Sequence, residues 1–420
     1  MSRSAELFER AQELLPGGVN SPVRAMRAIG RDPLFIASGS GSRLRDVDGR
    51  EYIDWVSSWG PLVLGHADPE VVAAVSAAAA SGTSFGAPTR GEVELAAEIV
   101  ARMPSVEMVR MTSSGTEATM SAVRLARAAT GREKVVKFAG AYHGHVDGLL
   151  AEGGSGLATQ GIPSSPGVTA GAAADTLVVP WNDPDALPEL GDVAAVLAEP
   201  VPANMGVVPA RDGFLELLRE RTAAAGALLV FDEVITGFRV ARGGAQELYG
   251  VQPDLTIMGK ILGGGLPAAA YGGPRELIEL VAPAGEVYQA GTLSGNPLAV
   301  AAGLVTLRRL DGDAYARLAE VTERLAAGLR EAATSAGRVI RVQSVPGLLT
   351  PFFCSEPVQD WSAAARCDQG AYGAWARGLL ERGVYPPASQ FEAWFPSLAH
   401  TAEDVDRTVE AAAEAFREGS

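Results

Sequence analysis

The chain has 420 residues and a formal net charge of −15, with 47% hydrophobic and 20% charged residues. That is ample length for a large core, and an ordinary composition for a soluble globular protein. So acidic a surface repels a phosphate backbone or an anionic bilayer, which argues against nucleic-acid and membrane partners but leaves room for small anions held by a local arginine.

No apolar run approaches membrane-spanning length, and the N-terminus lacks the apolar core of a signal peptide. Cys354 and Cys367 show neither ligand spacing nor a disulfide framework, so a cytoplasmic protein is expected. Leu7, Leu14 and Leu15 sit at helix-compatible spacing, and "PGGVNSP" then stops that helix. Residues 34–55 read as short strands around an Asp48–Gly49 turn, a meander.

From about residue 67 the pattern changes. Helical runs ("PEVVAAVSAAAA", "GEVELAAEIVARM", "TEATMSAVRLARAAT") alternate with short apolar runs ("KVVKFAG", "TLVVPW", "VAAVLAEP", "ALLVFDEV", "LTIMGK"). Strands buried on both faces read as continuous apolar runs, so the alternation predicts an α/β fold with a mainly parallel sheet. A large domain is expected over 67–310. The segments 1–66 and 311–420 are expected to join as a smaller α+β domain, closed by a helix whose Val405, Val409, Ala412 and Phe416 share one face.

Ligands in open α/β sheets gather beyond the carboxyl ends of the strands. "LTIMGK" ends there on Lys260, "LLVFDEV" on Asp232 and Glu233, "VAAVLAEP" on Glu199, and "KVVKFAGAYHGH" on Tyr142, His143 and His145. A desolvated lysine amine is a nucleophile toward carbonyls. Pyridoxal phosphate needs such a lysine, a carboxylate at its ring nitrogen and donors for its phosphate. Asp232 supplies the carboxylate. "SSGTE" leads into a helix whose N-terminus, at Gly115 and Thr116, suits a dianion, and Tyr142 can stack on the ring. Each element also has a plainer reading. Lys260 alone is a solvated charge, "SGTE" alone is a capping box, and "HGH" invites a metal. Their conjunction is not explained by packing.

"FDEVITGFR" (231–239), "IMGKILGGGLPAAAYGG" (257–273) and "GTLSGNPLA" (291–299) resemble the class-III aminotransferases, which are fold-type-I pyridoxal-phosphate enzymes. "GGVNSPVR" (17–24) and "SLAHT" (397–401) narrow the resemblance to the aminomutase branch of that family, and it runs from end to end of the chain.

The resemblance implies that Lys260 carries the cofactor, Asp232 binds its ring nitrogen, and Val234 and Tyr142 pack on the ring. Gly115 and Thr116 hold the phosphate, joined by Thr292 from the second subunit of a homodimer. Ser21 and Arg24 receive the substrate carboxylate, Trp59 lines the pocket, and Asn204 and Glu392 stand near the reacting amines. Ser155 lies on a lid spanning 152–175.

The implied reaction is intramolecular. Glutamate 1-semialdehyde becomes 5-aminolevulinate, a tetrapyrrole precursor, through 4,5-diaminovalerate, with the cofactor passing between pyridoxal 5'-phosphate and pyridoxamine 5'-phosphate. A transient contact with the upstream glutamyl-tRNA reductase is also implied. A class-III transaminase acting on another amine would share Lys260, Asp232 and the phosphate loop. Two departures from the family pattern are visible: "PVPANMGVVP" lacks the usual glycine before Asn204, and Trp394 stands where a glycine is usual.

Overall fold

The computed structural model describes residues 2–151 and 165–418. Ser155, with the first part of the 152–175 segment, lies outside the described residues. The Asp48–Gly49 turn joins three antiparallel strands, β1 (Ile36–Ser40), β2 (Arg43–Asp46) and β3 (Glu51–Asp54). The apolar runs of the middle region become β5 (Lys134–Phe138), β6 (Thr176–Val179), β7 (Val193–Ala198), β8 (Leu228–Glu233) and β9 (Leu255–Met258), all mutually parallel.

Two further strands complete that sheet, β4 (Met108–Thr112) and β10 (Ala269–Gly273), giving the order β4-β10-β9-β8-β7-β5-β6. β10 runs antiparallel to both neighbours. It is the "AAYGG" that reads in sequence as the tail of a glycine cluster, and glycine hides a strand because it has low strand propensity. Helix Gly115–Thr130 covers one face of the sheet, burying Ala118, Ala122, Leu125 and Ala126 against Leu197, Ile257 and Tyr271. The opposite face carries Phe138, Trp181 and Phe214, with edge-to-face ring contacts at 4.9–5.9 Å.

The chain ends meet in the other sheets. β11 (Arg341–Val345) and β12 (Leu348–Phe352) form a hairpin, and β13 (Val384–Tyr385) adds in parallel to β3, pairing Val384 with Ile53. Trp394 occupies space that a glycine would leave empty. It is fully buried between Trp55 and Trp375, at ring separations of 6.2 and 5.8 Å, and its backbone exchanges hydrogen bonds with Leu349.

Two of the expected helices form, with burial that their spacing alone does not give. The first helix, Arg3–Leu14, buries Ser4, Phe8 and Ala11, a stripe that leaves Leu7 and Leu14 exposed. Helix Pro69–Ser81 is apolar yet buries none of its residues in this chain.

Asp404, in the first turn of helix Ala402–Glu418, joins the two ends of the chain: Ser42 and the Thr401 N–H donate to it at 2.9 Å, and Arg43 pairs with it. Burial pushes its carboxyl up, but those hydrogen bonds and the Arg43 charge outweigh it, and its pKa lies below the ordinary carboxylate value. A depressed carboxylate contributes stability that is complete above its unfolded pKa and lost as pH falls through the folded one. Asp404→Ala is therefore expected to cost about 1–2 kcal/mol at neutral pH, part of it screened by solvent. Urea denaturation at stepped pH should show that difference holding steady down to about pH 4.5 and shrinking below about pH 3.8.

Candidate active site

β9 ends at Met258, and two residues later Lys260 turns with a backbone φ of 46°, in the left-handed region that side chains seldom adopt. Its amine donates to the Trp59 carbonyl at 2.8 Å. Burial lowers the Lys260 pKa, and the Arg239 charge acts in the same direction, while Glu392, Glu199 and Asp232 oppose. The outcome is an amine whose pKa lies below that of an ordinary lysine.

Asp232 lies in β8, where one carboxylate oxygen accepts from the Val234 N–H at 3.0 Å and the other meets His143 Nδ1 at 2.8 Å. Burial lowers the His143 pKa against the pull of Asp232. A neutral ring facing a carboxylate acceptor places its proton on Nδ1. The other ring nitrogen, Nε2, is buried with no partner among the described residues. Glu199, just past β7, accepts from the Tyr142 N–H at 2.8 Å, the Ala203 N–H at 3.2 Å and the Asn204 amide at 2.9 Å. Burial, then the neighbouring Asp232 charge, push its carboxyl up to about 8.

The helix beginning at Gly115 has a full capping box. Ser114 accepts from the Glu117 N–H, and the Glu117 carboxylate accepts from the N–H groups of Ser113 and Ser114. The N–H groups of Gly115 and Thr116 are left for an anion, since none of the hydrogen bonds among the described residues uses them. Gly144 holds φ 81° over this helix start. A Cβ there would lie 2.5 Å from the Thr116 hydroxyl, so only glycine allows the approach.

These parts enclose one cavity of about 200 Å³. Its lining includes Gly115, Thr116, Thr119, Tyr142, Val234, Asp232, Glu199, Asn204 and Lys260. Thr119 Oγ1 is buried without a partner among the described residues. Trp59 joins through its carbonyl, and Glu392 through a charge that acts on both Lys260 and Tyr142. Ser21 is half-buried, Arg24 is exposed on the short turn Pro22–Ala25, and Thr292 is exposed beside a separate cleft; none of the three lines the cavity.

The sequence pattern of the aminotransferase class-III family matches residues 26–416. The chain belongs to the class-III aminotransferases. A glutamate-1-semialdehyde 2,1-aminomutase from Desulforudis audaxviator is 58% identical over 421 residues, covering 99% of this chain and 98% of that protein. Among solved structures, an omega-transaminase from Sphaerobacter thermophilus superposes with a TM-score of 0.92 at 34% identity, covering 100% of this chain and 98% of its own. A glutamate-1-semialdehyde aminomutase from Pseudomonas aeruginosa PAO1 in complex with PMP gives 0.87 at 30% identity, covering 99% and 94%.

The fold-type-I expectation therefore holds for this class-III aminotransferase. Sequence reasoning undervalued two of its site residues. His143 reads as half of a metal-like "HGH", yet its Nδ1 is committed to Asp232. Glu199 was visible only as a strand end.

A carboxyl raised by folding keeps a proton that the unfolded chain has released, so it makes stability decline as pH rises from about 4.5 to about 8. Glu199→Gln removes that decline. Thermal unfolding of the cofactor-free protein should show the difference in midpoint moving in the variant's favour between about pH 5 and pH 8.

Proposed function

We propose that this chain isomerises glutamate 1-semialdehyde to 5-aminolevulinate by a pyridoxal 5'-phosphate-dependent intramolecular amino transfer, through 4,5-diaminovalerate, on the route to tetrapyrroles. The observation that carries this reading is one cavity holding Lys260, Asp232 and a helix N-terminus with two unused N–H groups, in a chain 58% identical to an aminomutase over 99% of its length.

The residues present fit the cofactor. Gly115 and Thr116 N–H groups and the unpartnered Thr119 hydroxyl would hold its phosphate, Val234 and Tyr142 would flank its ring, and Asp232 would sit at its ring nitrogen. When bound, this group withdraws electrons from the substrate carbon next to the amine and so acidifies that C–H bond.

The chain's own residues supply the rest. Lys260, desolvated and free to be neutral, would hold the cofactor through its amine and would carry the proton between adjacent substrate carbons. His143 holds the Asp232 carboxylate in one orientation, and Asp232 would keep a proton on the cofactor's ring nitrogen. Asn204, anchored on Glu199, faces the cavity beside Lys260, and the Glu392 charge disfavours any substrate bearing a carboxylate next to its amine. Ser21 and Arg24 are assigned to the substrate's distal carboxylate on the "GGVNSPVR" motif.

Residues 67–310 are proposed as the large domain and 1–66 with 311–420 as the small one, a division supported by the pairing of β3 with β13. A homodimer is proposed as well. The apolar helix Pro69–Ser81 has no fully buried residue within the chain, with Val71 half-buried against the core, and Phe85, Tyr288 and Leu293 are exposed. A second copy covering this face would carry Thr292 toward the phosphate end of its neighbour's cavity.

Purified protein given glutamate 1-semialdehyde and no amino acceptor should form 5-aminolevulinate, and Lys260→Ala should abolish this by several orders of magnitude. Strict need for a 2-oxo acid would replace the aminomutase with a transaminase like the one from Sphaerobacter thermophilus. Sedimentation should give a dimer, and Thr292→Ala should weaken retention of pyridoxal 5'-phosphate about tenfold, read by equilibrium dialysis.

A further inference from the structure

Arg239 is fully buried, yet no carboxylate lies within ion-pair reach of it among the described residues. Its two terminal nitrogens donate to main-chain carbonyls from three distant segments, Gly347 at 3.2 Å, Pro396 at 3.1 Å, and Gly60, while Nε has no partner among the described residues. It also lies over the Phe395 ring, 5.2 Å from the centroid, and the Lys260 amine approaches the same ring at 5.9 Å. Burial pushes the Arg239 pKa down to about 9, so it remains a cation at neutral pH. A buried unpaired charge is costly, and a packing role alone would be filled as well by an apolar side chain.

The Gly60 carbonyl ends an unusual turn. Ser57, Ser58 and Trp59 have φ of 47°, 58° and 68°, three successive non-glycine residues in the left-handed region. Such a run persists only where its surroundings over-determine it. At the front, the Asp54 carboxylate accepts from the Val56 N–H at 2.9 Å and the Ser57 N–H at 3.1 Å, and the Ser57 hydroxyl donates to the Phe395 carbonyl at 3.0 Å. At the rear, Arg239 holds Gly60. Between these two anchors, the Trp59 carbonyl accepts from Lys260 at 2.8 Å. The packing is close: a Cβ on Gly60 would lie 2.8 Å from the Phe395 ring and 3.3 Å from Lys260 Cδ.

We propose that Arg239 is a positioning residue for Lys260: it pins the strained turn that offers the Trp59 carbonyl to the amine, and it fixes a positive charge behind that amine. This rests on the reading that Lys260 captures an aldehyde cofactor. The charged groups acting on the amine are Glu392, Glu199 and Asp232, which favour the ammonium form, and Arg239, which acts against them together with burial. Without that cation, burial alone would oppose the acidic groups, and a larger share of the lysine would stay protonated, without a lone pair for attack. The turn adds orientation, because one N–H engaged by Trp59 limits rotation of the amine.

The test uses the full-length cofactor-free chain, mixed with pyridoxal 5'-phosphate and trapped with borohydride, with the adduct at Lys260 followed by intact mass and peptide mapping. The initial trapping rate is measured from about pH 6 to pH 10. The wild type should give a rate that rises with pH to a plateau. Arg239→Gln should move the midpoint upward by about one pH unit, which is about tenfold slower trapping at neutral pH. Arg239→Lys keeps the charge but cannot span three carbonyls. It should keep the midpoint within about 0.3 unit and lower the plateau by about threefold or more. A folded Gln variant with the wild-type midpoint overturns the proposal, and so does a Lys variant with the wild-type plateau, which decides the matter if the Gln variant does not fold. Absence of any adduct in the wild type would instead overturn the cofactor reading.

Discussion

The site depends on keeping the Lys260 amine out of water while surrounding it with charge. Desolvation disfavours the ammonium form, and the acidic groups Glu392, Glu199 and Asp232 favour it to the extent that each is ionised, so the protonation state of one nitrogen is set by opposing effects. The fold arranges that contest by ending parallel strands side by side. β7, β8 and β9 deliver Glu199, Asp232 and Lys260 to the same edge, and the segment after β5 adds Tyr142 and His143. Neither the acid nor the base could be tuned alone, since each is part of the other's environment.

Around this cluster the polar groups are tied down by hydrogen bonds rather than by ion pairs. Asp232 is held by His143 and by the Val234 N–H, Glu199 by two N–H groups and the Asn204 amide, and Arg239 by three carbonyls. A buried charge held by hydrogen bonds, as at Asp232 and Arg239, keeps its field, because no counter-ion cancels it. The same neighbourhood holds the strained backbone, at Ser57, Ser58, Trp59 and Lys260. Strain and uncancelled charge gather where the chemistry is, and the aromatic packing of Trp55, Trp375 and Trp394 beneath provides a stiff support for them.

What could be read in advance follows from chain-local physics. The parallel strands were legible because strands covered on both faces need continuous apolar runs. The Asp48–Gly49 turn was legible because φ of 89° at Gly49 asks for glycine. β10 was missed because its "AAYGG" has the composition of a loop, and only antiparallel hydrogen bonds to β4 and β9 make it a strand. The exposure of Leu7 and Leu14 was not legible, since helical spacing says which residues share a face but not which face meets the core.

For this protein, residue order alone determined the chemical inventory: a lysine, an aspartate and a glycine-led helix start, each at an element's end, in a pattern similar to the class-III aminotransferases. That much is encoded locally, because a strand terminus and a helix terminus are properties of short segments. Tertiary structure alone decided the electrostatics. His143 pairs with Asp232 across 89 positions of sequence, Trp59 meets Lys260 across 201, and Arg239 reaches Gly60 across 179. Desolvation and Coulomb terms depend on separation in space and on what excludes the water, and neither quantity is written in any short stretch of the chain.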